Sequence, residues 1–531
     1  MKTYQSFSTR KTSQQEPIPG KNMVRNNADG FAFAVDEWTR LDRFLVLGSE
    51  GGTYYIKERE LTKHNAENVL KCIEFDGVRV VKRIEEISVS GRAPKNDPAL
   101  FALAMAFKLG GRATRQAAAK TFPKVARIGT HLFHFVAFAE QFGGWGRLTR
   151  ETIANWYNDM KPGKLAYQVV KYQQRDGWSH RDVLRLAHPN PASETHNAIY
   201  HYVTKGTLQS GDEHLSIISA FEQAKRAENK DEIVKLIYHY GLTREMVPTK
   251  WLNAPDVWEA LLEKMPLTAM IRNLGKMTNV ELLVPMSQAV LTVCSKLRDK
   301  EYIHKSRVHP LAVLVALKIY QQGHGMRGSL TWTPVRQIVD SLDNTFYAAF
   351  DNVESTGKRI MLALDVSGSM VAPISGMPLS CREASAALAL TTARTEQNYM
   401  FTMFSSGRVF GGNGLSPLDI SPRQRLDDVI KRISGLPFGG TDCALPMLYA
   451  AQNNLKIDTF VVYTDNETWA GNIHPCQALQ MYRERMSIPA KLVVVGMTSN
   501  GFSIADPDDA GMLDVVGFDT ATPQVVANFM K

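Results

Sequence analysis

The stretch Arg359–Met370 reads RIMLALDVSGSM and limits what the chain can fold into more than any other. Its apolar run, Ile360 to Leu364, has the length and composition of a buried strand, although a run this short does not by periodicity alone exclude a helix. The run stops at Asp365-Val366-Ser367-Gly368-Ser369, a D-x-S-x-S turn. A carboxylate and two hydroxyls on one tight loop are hard oxygen ligands of the kind that hold Mg²⁺. Gly368 lets the backbone bend so that both hydroxyls point one way. Two later stretches are suited to complete the site. One is the glycine-loosened loop Gly439-Gly440-Thr441-Asp442, and the other is Thr459 to Asp465, a second apolar strand pattern ending in an acid. In an open α/β sheet, ligands gather at the carboxyl ends of the strands, where both patterns deliver their acids.

The ordered set Asp365, Ser367, Ser369, Thr441 and Asp465 resembles the metal-ion-dependent adhesion site of von Willebrand factor A-type domains. The resemblance implies that the serines and the threonine bind metal directly and that the acids often act through water. It also implies one position left open for a partner's carboxylate, and a divalent ion, Mg²⁺ first, as the cofactor. The bland alternative is a set of polar loop tips at the end of a sheet.

A chain of 531 residues holds more than one domain, and its 44% apolar and 22% charged content is ordinary for a globular protein. The net charge of +9 is unevenly placed. From Lys358 onward 14 Lys/Arg face 16 Asp/Glu, whereas the first 357 residues hold 48 against 37. That asymmetry points to an anionic partner for the first two-thirds, with nucleic acid the commonest. The five cysteines, Cys72, Cys294, Cys381, Cys443 and Cys476, are odd in number and widely spaced, which indicates neither a zinc site nor a disulfide framework. A reducing compartment is expected, the cytoplasm first and the nucleus second. No stretch approaches the roughly 20 apolar residues of a membrane span, and the polar first thirty residues lack a signal-peptide core.

Residues 1–20 mix Ser, Gln, Lys and Pro and read as a flexible N-terminus. Phe44–Leu47 and Thr53–Ile56, with Gly51-Gly52 between them, read as a hairpin. From Asp97-Pro98, a good cap and first turn, helical patterns follow one another at about 99–109, 114–127, 131–141, 148–159, 164–175, 180–187, 213–227, 231–240, 255–264, 267–274, 279–298, 309–321 and 334–350. Such a succession suggests an all-α solenoid of the HEAT kind, without a fixed sequence period. Around Glu354–Lys358 the pattern changes to alternating strands (Tyr399–Phe404, Thr459–Thr464, Lys491–Val495) and helices (Cys381–Thr395), the signature of a doubly wound α/β sheet. The expected division is 1–20, a helical module over 21–355, and an α/β domain over 356–531.

Within the basic part, Lys164, Lys171 and Arg175 recur at helical spacing on one face. Ser179 caps a following helix bearing His180, Arg181, Arg185 and His188, with Tyr172 and Trp178 between the two. Lys and Arg neutralise phosphates, and aromatic rings stack on unpaired bases. The competing account is a solvated charged face with Trp178 as a core anchor. Arg112, Arg115, Lys120, Lys124 and Arg127 form a second basic stretch, and Lys296, Arg298, Lys300, Lys305 and Arg307 a third. His131 and His134, spaced i, i+3, read as packed histidines in preference to a metal pair.

Three longer strings carry a wider resemblance: Gly177-Trp178-Ser179-His180-Arg181-Asp182, the Met265–Leu274 helix, and Ser306-Arg307-Val308-His309-Pro310 followed downstream by DVSGSM. From about residue 16 onward the chain is similar to the Ro ribonucleoprotein autoantigen family, a TROVE module joined to a von Willebrand A-type domain. The resemblance implies that the HEAT-like repeats close into a ring. It implies small cytoplasmic Y RNAs on the basic outer surface and single-stranded 3′ ends of misfolded noncoding RNAs, such as defective ribosomal RNA precursors, in a central hole. Lys171, Arg175 and His188 match positions implicated in Y RNA binding, and Arg112, Lys120 and Lys124 extend that surface. The expected function is non-enzymatic noncoding-RNA quality control by a ribonucleoprotein with a single protein chain and no membrane partner. The alternative is a metal-dependent protein-interaction scaffold whose A-type domain docks a partner carboxylate. A Mg²⁺-dependent hydrolase is disfavoured, because two-metal phosphoryl chemistry needs denser carboxylates than Asp365 and Asp465 supply and no Walker-type loop is present.

Overall fold

The computed structural model describes residues 11–48, 58–208, 215–326, 328–350, 354–374, 378–406, 414–435 and 439–531. They form two compact units: one joins residues up to Val69 and Arg92–Pro94 to Phe350–Lys531, and the other comprises Leu70–Gly91 and Lys95–Ala349.

The chain begins with short strands β1 (Met23–Arg25) and β2 (Phe31–Ala34) and helix α1 (Glu37–Leu47). The expected strand at Phe44–Leu47 is therefore helical. Asp36 caps the helix by accepting from the amides of Trp38 and Thr39 at 2.8 and 2.9 Å. Leu41, Phe44 and Leu45 then recur at helical spacing on its buried side. Thr53–Ile56 lies outside the described residues. Helix α2 runs from Glu58 to Ser90 with a break at Asp76 (φ −152°, ψ 80°).

The helical unit continues with α3 (Asp97–Leu109), α4 (Arg112–Val125), α5 (Gly129–Phe142), α6 (Arg147–Asn158) and α7 (Pro162–Lys171). A two-stranded hairpin, β3 (Gln174–Arg175) and β4 (Trp178–Ser179), leads into α8 (His180–Ala187). There follow α9 (Glu194–Lys205), α10 (Ser216–Arg226), α11 (Lys230–Tyr240), α12 (Pro255–Lys264), α13 (Leu267–Asn279), α14 (Gln288–Arg298), α15 (Lys300–Ser306), α16 (Pro310–Gln322) and α17 (Arg336–Ala348). Near neighbours in sequence pack on one another, as α3 does on α4 and α5, α10 on α11, α11 on α12, and α16 on α17. This is the solenoid-like succession expected from the sequence. Its core is aromatic: Phe122, Phe133, Phe135, Tyr157, Trp258, Tyr320 and Phe346 are all at most 1% exposed. The helix expected at 279–298 begins only at Gln288, because Glu281 and Met286 adopt left-handed φ of 63° and 66° and Ser287 supplies the cap.

The α/β domain is built on β5 (Arg359–Asp365), α18 (Cys381–Thr395), β6 (Asn398–Phe404), β7 (Leu415–Leu418), α19 (Leu426–Ser434), α20 (Leu445–Gln452), β8 (Thr459–Thr464), α21 (Pro475–Met486), β9 (Lys491–Gly496), β10 (Phe502–Ser503), β11 (Met512–Val516) and α22 (Thr522–Met530). Six strands stand in the order β11-β9-β8-β5-β6-β7, all parallel except the edge strand β7. Met361, Ala363, Phe460, Val462, Leu492 and Val494 pack with α20 and α21. The intervening residues Leu362, Leu364, Val461 and Val493 are equally buried, as in a parallel sheet covered on both faces.

Residues 11–20 correct the expectation of a flexible start. Gln14 is 0% exposed, with its amide nitrogen on Asp442 Oδ1 (2.8 Å) and its amide oxygen accepting from Thr468 Oγ1 (2.6 Å). β2 pairs with β10, so this segment belongs to the same unit as the α/β domain. In that unit Arg43, also 0% exposed, grips Asp514 through both carboxylate oxygens (2.8 and 2.7 Å) and the carbonyls of Asn500 and Phe502 (2.7 and 2.8 Å). Replacing it with methionine leaves Asp514 without its cation and strands two carbonyls. Arg43→Met is expected to cost about 3 kcal/mol of stability in urea denaturation, and an unchanged midpoint would contradict that role.

Candidate metal centre and nucleic-acid interface

The register of β5 against β8 sets Leu364 beside Tyr463, so Asp365 arrives level with Thr464. Thr464 Oγ1 donates to Asp365 Oδ2 at 2.7 Å, and Asp365 Oδ1 accepts from the Ser367 amide at 2.9 Å. Asp465 follows one residue later. The D-x-S-x-S turn is held from α18 by Arg382, whose guanidinium donates to the carbonyls of Val366 and Ser367. Ser367 and Ser369 bring their hydroxyl oxygens within 3.2 Å of each other, so both point the same way.

The 439–442 loop joins this turn through the Gly368 amide, which donates to Gly439 O at 3.1 Å. Ser405 and Ser406, beyond the end of β6, fix the loop by accepting from the amides of Gly439 and Gly440. Gly440 lies so close to the Trp469 indole that a β-carbon would meet the ring at 2.6 Å. Thr441 is thereby delivered into the interior, where its Oγ1 is buried without a hydrogen-bond partner. The Thr441 loop thus meets the turn that bears Asp365, Ser367 and Ser369, and none of Asp365, Ser367, Ser369, Thr441 and Asp465 is more than 1% exposed.

The electrostatics suit a cation. Burial pushes the Asp365 carboxyl upward, and burial together with the neighbouring Asp365 lifts Asp465 to about 7. Two desolvated carboxylates, two adjacent serine hydroxyls and one orphaned threonine hydroxyl form a hard-oxygen set whose charge a divalent ion neutralises. Among the described residues no cluster of three or more His, Cys, Asp or Glu is arranged for a metal.

Sequence reasoning missed the shell behind these ligands. Gln14 bridges Asp442, Thr468, Gly471 and Ile473, tying the Thr441 loop to the segment after β8. Glu467 is 0% exposed and accepts from the Asn27 backbone and side-chain nitrogens at 2.9 and 2.7 Å. Burial and Asp465 raise its carboxyl to about 8. These partners lie over four hundred residues apart in sequence, so no local pattern announces them. Asn466 of the Asn466-Glu467-Thr468 sequon is fully buried. Gln14→Ala is expected to weaken Mg²⁺ or Mn²⁺ binding about tenfold in calorimetric titration, and an unaltered affinity would show that the buttress does not position Thr441.

The basic residues separate into exposed and structural ones. Helix α7 ends at Lys171, so Arg175 does not continue the face of Lys164 and Lys171 as expected. It sits on β3, because Asp176 and Gly177 adopt φ of 52° and 79° and close a two-residue hairpin turn onto Trp178. Arg175 remains 61% exposed. Lys171 donates to the Tyr167 hydroxyl at 3.0 Å and lies 5.2 and 5.3 Å from the Tyr167 and Tyr172 ring centres. Burial works against its ammonium, but the tyrosines and Glu245 outweigh that and hold the pKa above its ordinary value. A Ser179–Asp182 capping box starts α8, which turns Arg181 and Arg185 to solvent, and His188 ends it exposed in the left-handed conformation (φ 48°).

His180 is the clear correction among the expected RNA contacts. It is 2% exposed, on the same helix face as Val183, Leu184 and Ala187, with Nδ1 2.8 Å from Tyr157 Oη. Arg112, Lys120 and Lys164 are exposed, and Lys124 is exposed but pairs with Glu85. Arg127, Lys296 and Arg307 bind backbone carbonyls of neighbouring helices and serve packing. His131 is half-buried, and His134 lies between Asp97 and Asp176. Burial depresses the His180 pKa to about 4. The unfolded chain thus binds a proton below about 6.5 that the native state refuses until about 4, and stability falls as pH drops through that window. His180→Gln is expected to remove about 2 kcal/mol of that pH dependence, read by urea denaturation at pH 6.5 and 4.5. Identical slopes in the two proteins would contradict the burial.

Fold and site together define a two-part protein: a helical array with a cationic α7–α8 stretch, and a von Willebrand A-type domain with a buried cluster of carboxyls and hydroxyls at the carboxyl end of its sheet. The chain belongs to the Ro60 family, for a TROVE domain model matches residues 24–358 and a Ro60 vWA domain model matches residues 359–530. It is 42% identical over 516 residues to a protein of Deinococcus radiodurans named RNA-binding protein RO60, covering 96% of each. It is 37% identical over 586 residues to a Caenorhabditis elegans protein of the same name, covering 96% of this chain and 90% of the relative. The crystal structure of the Deinococcus radiodurans RO (RSR) protein matches it with a TM-score of 0.71 at 42% identity, covering 93% of this chain and 99% of that one.

Proposed function

We propose that this protein binds RNA without chemical catalysis, taking small Y RNAs on its basic outer surface and the single-stranded 3′ ends of misfolded noncoding RNAs in a central hole. It acts in noncoding-RNA quality control in the cytoplasm and the nucleus. The observation that carries this reading is the stretch 164–188: Lys164, Arg175, Arg181, Arg185 and His188 are exposed, while Leu165, Val169, Val183 and Leu184 anchor the same elements in the core. Cations fixed on a rigid scaffold neutralise phosphates whatever the sequence, which suits recognition of RNA by shape and unpaired ends. The relatives' name, RNA-binding protein RO60, supports the same conclusion. Among the described residues no helix is long and apolar enough to cross a membrane.

Within this reading Asp365, Ser367, Ser369, Thr441 and Asp465 hold a divalent ion, Mg²⁺ first, which supplies fixed positive charge. Its role is to hold the loops and dock a protein carboxylate rather than to cleave. A partner would have to reach side chains no more than 1% exposed, so docking is secondary to RNA binding.

Changing Lys171 and Arg175 together to alanine is expected to weaken binding of a Y RNA hairpin at least tenfold. It should also reduce the slope of log K against log salt by about 1 to 2 in filter binding at several KCl concentrations. An unchanged slope would remove this surface from the interface.

A further inference from the structure

Helices α7, α11, α12 and α13 of the helical unit, with the loop after α11, surround a cavity of about 140 Å³ whose lining includes Lys171. Leu242, Ala260, Leu261 and Met265 give it apolar surface, and the rings of Tyr167 and Tyr238 line it as well. A cavity of roughly 150 Å³ holds one benzene-sized ring, which favours a single-ring heterocycle over a fused pair.

Two polar side chains of the lining, Thr243 and Asn273, have unused hydrogen-bonding capacity. Thr243 Oγ1 is buried and has no partner. Asn273 commits its amide nitrogen to Ala269 O at 2.8 Å, and among the described residues its side-chain oxygen accepts from no protein donor. A hydroxyl that donates or accepts and an oxygen that accepts suit the mixed donor and acceptor edge of a base, and the one-ring volume selects a pyrimidine. Three cations, Lys171, Arg244 and Lys264, line the same cavity with two acids, Glu245 and Glu263, for one net positive charge. That balance suits the single negative charge of a phosphodiester.

We propose that this cavity is a subsite for one pyrimidine nucleotide, with the base against Tyr167 and Tyr238 and the phosphate at Lys171, Arg244 and Lys264. As a subsite for a residue of bound RNA it rests on the RNA-binding reading. As a site for a free nucleotide it stands apart from that reading.

The test uses the full chain and two probes. Fluorescence anisotropy compares labelled hexauridylate with labelled hexaadenylate, and calorimetry compares uridine 5′-monophosphate with adenosine 5′-monophosphate and inorganic phosphate. Hexauridylate is expected to bind at least tenfold more tightly than hexaadenylate. Thr243→Val and Ala269→Phe, with thermal midpoints unchanged from the parent, each reduce that preference at least fivefold. Preference for uridine monophosphate over phosphate supports the site with free nucleotide as its source, and preference seen only with the hexamers supports it with RNA as the source. Equal binding of the two hexamers and the two monophosphates, or a preference that survives both substitutions, overturns the subsite. If the Y RNA hairpin is bound while no pyrimidine preference exists, the subsite fails and the RNA-binding reading stands. If neither hairpin nor hexamers bind but uridine monophosphate does, the RNA-binding reading fails and the subsite stands.

Discussion

Parallel pairing of β5 with β8 at the centre of the sheet is the constraint from which the α/β domain follows. It forces two acids, Asp365 and Asp465, to leave adjacent strands at the same end and almost the same level. Both are desolvated, and Asp365 further discourages ionisation of Asp465. The surrounding structure answers that conflict. Arg382 holds the turn after β5, the glycine-rich 439–442 loop brings Thr441 inward, and Gln14 ties that loop to the segment after β8. One buried hydroxyl, Thr441 Oγ1, is left without a protein partner beside these acids, an arrangement suited to a divalent ion.

The helical unit treats its charges in the opposite way. Lys164, Arg175, Arg181 and Arg185 lie at the surface of elements whose apolar sides are anchored, where they stay hydrated and open to a polyanion. The hairpin at Asp176-Gly177 ends one helix and aims Arg175 independently of it, while the Ser179 capping box restarts the next. One unit therefore buries acids, and the other displays basic side chains at its surface.

Much of this was legible from residue patterns. The strand ending in D-x-S-x-S, the Gly-Gly-Thr-Asp loop and the strand ending in Asp465 are local signals, and each folds locally as read. Other features were legible but misread. Asp176-Gly177 is a hairpin signal in its own right, and it overrides the helical spacing of Lys171 and Arg175. His180 repeats with Val183, Leu184 and Ala187 at helical intervals, which places it on the buried face despite the basic residues around it. Phe44–Leu47 is an apolar run too short to separate strand from helix, and Asp36 as a cap was the missing clue. What no pattern contained were the long-range partners. Gln14 reads as one polar residue in a polar segment, and its role arises only when Asp442 and Thr468 are folded against it.

The claim on which all of this turns is that RNA is gripped by the cationic helical stretch and not by the A-type domain. Ultraviolet crosslinking of the full chain to RNA, followed by mass spectrometry of the crosslinked peptides, tests it most directly. The account predicts crosslinks concentrated in peptides from residues 164–188, present with Mg²⁺ or with chelator. Crosslinks confined to peptides beyond residue 358, or lost when Mg²⁺ is removed, would contradict it.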